Sequence, residues 1–143
     1  MILDPLTLAA AFVLLSAMLG VLLLFAWTHN RRVQALGWWG ATFCLIPVGI
    51  GMANFGQSLP SHLNLLMANA FVTFGYGALY AGCRAFNGRT GWLPAIGLGP
   101  AVWIGAFPFI HESFSARLIL LSLTTASDQC CAAMGTSLSL IHI

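Results

Sequence analysis

The sequence predicts an all-α protein, a polytopic bundle of membrane-crossing helices, with four spans and part of a fifth. Three observations carry this prediction. Only 6% of the residues are charged, where a soluble domain needs roughly a quarter to coat its surface. Mean hydropathy is +0.92. The charges, five Arg and three acids with no Lys, fall between long uncharged stretches instead of being spread along the chain. A bilayer core of about 30 Å takes about 20 apolar residues as helix, and in hydrocarbon each backbone polar group must be satisfied within its own segment.

The first span is read as 6–27, opened by Asp4 and Pro5, residue types suited to a helix start. Because no basic cluster precedes it and the positive charges follow it, it is expected to stay as an anchor and not to be cleaved as a signal peptide. After a short loop the second span covers 38–56, with Pro47 near its middle and a kink expected there. A turn containing Pro60 leads to the third span, 63–83, which ends in a loop marked by Asn87-Gly88. The fourth span is placed at 92–110. A partial fifth, 118–126, is interrupted by Asp128, and charge at membrane depth is costly.

These spans form one membrane region over 1–126. The closing Leu138-Ser139-Leu140-Ile141-His142-Ile143 resembles the translation of a sequencing adapter. Residues 127–143 are therefore expected to be a non-native or out-of-frame tail.

Orientation is set by Arg. With segments alternating across the membrane, Arg31, Arg32, Arg84 and Arg89 share one side, and of the Arg residues only Arg117 falls on the other. The positive-inside rule puts the four in the cytoplasm and the N-terminus outside, in a bacterial inner membrane. Trp27, Trp38, Trp39 and Trp92 fall at the same ends of their spans, as an interfacial aromatic belt does.

Candidate sites are few. Gly97, Ala101 and Gly105 recur every four residues and form a smooth face, read as close helix packing within the bundle or as the seam of a homodimer. His62, His111 and Glu112 are a weak candidate set for a transition metal or a proton sensor. Asn69, Thr73, Tyr76 and Tyr80 line one stripe of the third span. Interhelical hydrogen bonding is their simplest role, and a small-ligand pocket the sharper one.

The four Cys, two of them adjacent at Cys130 and Cys131, do not read as a disulfide framework. The charge is too sparse for a nucleic-acid surface. No phosphate loop, haem-binding His pair or nucleophile–base set is present in the sequence, so neither cofactor nor enzyme activity is expected. A small transporter or channel subunit is the alternative class. It is disfavoured by the lack of intramembrane acids and bases in the first four spans and of an internal repeat.

Three stretches resemble a known family: Leu3-Asp4-Pro5-Leu6-Thr7-Leu8, Ala35-Leu36-Gly37-Trp38-Trp39-Gly40, and the block from Leu59-Pro60 through Ala68-Asn69-Ala70 to Gly82-Cys83-Arg84-Ala85-Phe86-Asn87-Gly88-Arg89. Together they are similar to the N-terminal membrane region of alphaproteobacterial diguanylate cyclases with a GGDEF catalytic domain. The resemblance implies a membrane anchor and sensory input for a cyclic-di-GMP signalling enzyme. Its partners would be the lipid bilayer, a second copy of the chain, and a cytoplasmic cyclase domain in cis that is absent from this sequence. No catalytic residue carries over.

Overall fold

The computed structural model describes residues 4–56, 60–89, 93–110, 113 and 115–127. Four helices follow one another: α1 (Pro5–His29), α2 (Gln34–Phe55), α3 (Ser61–Phe86) and α4 (Leu93–Ile110). A further helix, α5, covers 115–127, and no strand occurs among the described residues. Residues 128–143, which include Asp128, Cys130, Cys131 and most of the expected tail, lie outside the described residues.

The start of α1 follows from its sequence. Asp4 is the N-cap in extended backbone, φ −61° and ψ 129°, and Pro5 takes the first helical position, where its missing N–H costs nothing. The Leu8 N–H then bonds the Asp4 carbonyl at 3.1 Å. Pro47 sits inside a helix that continues from Gln34 to Phe55.

Helices α1, α2 and α3 are each long and apolar enough to cross a membrane. Their surfaces agree with lipid as solvent: Leu14 and Leu15 on α1 are each 70% exposed, amid an apolar surface far beyond what a monomer tolerates in water. Four spans were expected, and among the described residues three helices reach that standard. In α4, 18 residues rise about 27 Å at 1.5 Å per residue, just short of the hydrocarbon core. The apolar stretch recognised within it is the shorter Ile96–Phe109, and Pro100 and Pro108 interrupt its ladder.

Packing runs in series, α1 on α2, α2 on α3 and α3 on α4. Central α3 buries Ala68, Thr73, Gly75, Gly77, Ala78, Ala81 and Gly82, nearly all small. Without a hydrophobic drive between helices in lipid, close backbone approach supplies the dispersion contacts. Two glycines show how close. A Cβ on Gly49 would stand 2.5 Å from the Ala68 carbonyl oxygen, and one on Gly77 would stand 2.7 Å from that of Ile96.

The face of α4 expected to pack inside the bundle points the other way. Gly97, Ala101 and Gly105 are exposed, and a Cβ on Gly97 or Gly105 would meet nothing within 4 Å. The buried side of α4 carries Ile96, Gly99 and Trp103, with Trp103 fully enclosed. At 100° per residue the two sets lie on nearly opposite faces. On this buried side, the backbone of Ile96 seats against Gly77 of α3.

The expected interhelical role of the α3 stripe also changes. The Thr73 hydroxyl donates to the carbonyls of Asn69 and Ala70, and the Asn69 amide to Leu65, all within α3. The bonds between helices come from other side chains. Thr42 Oγ1 on α2 lies 3.1 Å from the Gly75 carbonyl oxygen on α3 and 3.0 Å from that of Trp38, and Asn64 Nδ2 on α3 donates to Met52 on α2 at 2.9 Å.

Candidate functional site

One end of the bundle collects the chemistry. The C-terminus of α1, the turn into α2 and the C-terminus of α3 bring Arg31, Arg32, Arg84 and Arg89 to the same end, as the sequence predicts. Trp27, Trp38 and Trp39 lie in the adjoining turns of α1 and α2; Trp92 lies outside the described residues. Asp4, the only acidic residue among those described, caps the opposite end of α1, about 38 Å away along 25 residues.

Local backbone structure fixes two of these cations. The end of α3 is a Schellman motif: the Gly88 N–H bonds the Ala85 carbonyl at 3.2 Å and the Arg89 N–H bonds that of Arg84 at 3.0 Å. Gly88 takes φ +69°, a left-handed conformation that glycine reaches without a Cβ penalty. The Asn87-Gly88 signal in the sequence thus places Arg89 beside the helix end. Across from it, the Val33 N–H closes a turn onto the Asn30 carbonyl at 3.1 Å, which holds the backbone next to Arg32.

Between these two turns lies a cleft of about 390 Å³, with Arg32, Gln34, Ala35, Phe86, Gly88 and Arg89 among its walls. Its apolar edge is Phe86, 68% exposed and stacked on Trp39 with centroids 5.8 Å apart. Val33, the N-cap of α2, makes no side-chain capping bond. A neighbouring hollow of about 450 Å³ is lined in part by Trp27, Arg31 and Trp38. There the Arg31 guanidinium lies 5.2 Å from the centre of the Trp27 ring. The Arg84 guanidinium stands over Tyr80 and donates to its hydroxyl at 3.3 Å.

The remaining sequence candidates separate. His62 is in the first turn of α3, at the end away from the arginines, while His111 and Glu112 lie outside the described residues. Among the described residues no group of three His, Cys, Asp or Glu is placed to hold a metal. Cys44 and Cys83 are free thiols. An apolar groove of about 280 Å³, walled by Leu45, Met67, Ala70, Phe71, Phe74 and Pro100, opens beside α3. None of the polar stripe Asn69, Thr73, Tyr76 and Tyr80 lines it.

Two features had no clear signal in the sequence. One is Trp103, wholly buried, whose indole Nε1 finds no hydrogen-bond partner among the described residues. The other is the Thr42 bond to α3, since a lone Thr in an apolar span reads as filler. No protein-family model, curated protein or solved structure matches the chain.

Proposed function

We propose that this chain is the membrane anchor and sensory input region of a bacterial cyclic-di-GMP signalling enzyme. It would have no catalytic activity of its own, and it would lie in the inner membrane with its N-terminus outside and α4 as a fourth crossing. The observation that carries the reading is the separation of charge along the bundle. Four arginines gather at one end with an aromatic belt, and Asp4 stands at the other. Cytoplasmic loops carry such an excess of Arg, and an attached cyclase domain would work on that side.

As a sensor, the region would act by a packing change whose free energy differs between two liganded states. The α3–α4 contact, where Gly77 lets the backbone of Ile96 come close, is suited to such a change.

Fusions to a reporter active only in the periplasm test the orientation. Activity is expected at Ser61 and none at Gln34 or Asn87, and the reverse pattern refutes it. The genomic reading frame tests the enzyme. A GGDEF domain in frame downstream supports the reading, whereas a stop codon soon after α4 removes it. Purified chain in detergent is expected to make no cyclic dinucleotide from GTP.

A further inference from the structure

We infer that the cleft between Arg32 and Arg89 binds the phosphate of an anionic phospholipid headgroup. This rests on the reading that the helices cross a bilayer, and it adds a ligand class to the arginine-lined end.

Arg32 and Arg89 line the cleft from turns far apart in sequence, each turn closed by backbone hydrogen bonds. Each offers a planar fork of N–H donors, the geometry that suits phosphate oxygens. Both arginines are exposed, and the only described carboxylate, Asp4, is at the far end of α1. A bound anion supplies the counter-charge that the described residues do not. The first turn of α2, uncapped at Val33, adds backbone N–H groups beside Gln34 and Ala35.

A lipid fits better than free phosphate because one edge of the cleft is apolar. Phe86, stacked on Trp39, stands at the rim where an acyl chain would leave the headgroup. Trp27, Trp38 and Trp39 mark the level of the membrane interface, where basic pockets between membrane helices meet headgroups.

The test uses the full chain in nanodiscs of equal phosphatidylcholine and phosphatidylglycerol, with the lipids that stay bound after detergent release counted by native mass spectrometry. Phosphatidylglycerol is expected to be retained roughly 30-fold over phosphatidylcholine, which is about 1 kcal/mol for each of the two Arg near an anionic surface. Arg32→Gln with Arg89→Gln should bring the ratio near one, while Arg32→Lys with Arg89→Lys should keep part of it. Arg117→Gln, outside the cleft, should leave the ratio unchanged. Circular dichroism of each variant shows that the helices persist.

Equal retention of the two lipids by the wild type, an equal loss of preference in Arg117→Gln, or displacement of the lipid by excess inorganic phosphate would overturn the inference. Alkaline extraction of cell membranes separates the two readings. Protein released by alkali refutes membrane crossing, whereas protein that stays in the membrane yet shows no lipid preference refutes only the cleft.

Discussion

Gly77 of α3 lies directly under the backbone of Ile96 of α4: a Cβ on Gly77 would stand 2.7 Å from the Ile96 carbonyl oxygen and 2.9 Å from its Cα. Both obstructing atoms are backbone, so no rotamer change relieves the contact and the helices must separate. Gly77→Ala is expected to destabilise the bundle by about 1–3 kcal/mol, the usual range for overpacking. Gly97→Ala, with open space around it, should be neutral or slightly stabilising through helix propensity. Unfolding in mixed micelles measures both, and equal tolerance of the two would show that Gly77 is not the seat of α4.

The Thr42 hydroxyl is one polar link from α2 to α3, through the Gly75 carbonyl; Asn64 makes the other described one. Thr42→Val keeps the shape and removes the donor, and should cost about 0.5–1.5 kcal/mol, as interhelical bonds in membranes do. Thr73→Val should cost less, because the Thr73 hydroxyl bonds only carbonyls of its own helix. The same unfolding assay compares them, and a larger loss for Thr73→Val would contradict the assignment.

Gly88→Ala places a Cβ in open space but on a backbone at φ +69°. The cost is conformational, about 1 kcal/mol. Because the Schellman motif holds Arg89, the substitution should also reduce phosphatidylglycerol retention in the nanodisc assay, though less than removing the two guanidinium groups. Unchanged retention would mean that Arg89 reaches the cleft without its cap.

The helices and their order were legible because a bilayer imposes a minimum apolar length, and the chain marks its turns with Asp4-Pro5 and Asn87-Gly88. The shared end of Arg31, Arg32, Arg84 and Arg89 follows from simple alternation. Which face of α4 is buried was not legible. A smooth face of Gly97, Ala101 and Gly105 and a bulky one of Ile96 and Trp103 can each pack well in lipid, and the choice depends on the hollow that α3 presents at Gly77. Complementarity belongs to a pair of helices, whereas a sequence displays one helix at a time. The α3 stripe misled for a related reason. A Thr or Asn within a helix can always reach a carbonyl of the preceding turn, so spacing does not reveal which bonds cross between helices.

The serial order of packing has a consequence for biogenesis. Each helix rests on the one made just before it, so docking can keep pace with synthesis. When α2 emerges its partner α1 is already in place, and α3 and α4 then join in turn without parting an earlier pair. Such a row closes only short loops, which keeps the entropy of each step small. A chain ending after α3 would still keep the α1–α2 and α2–α3 contacts. The edge awaiting the next helix would be the hollow at Gly77.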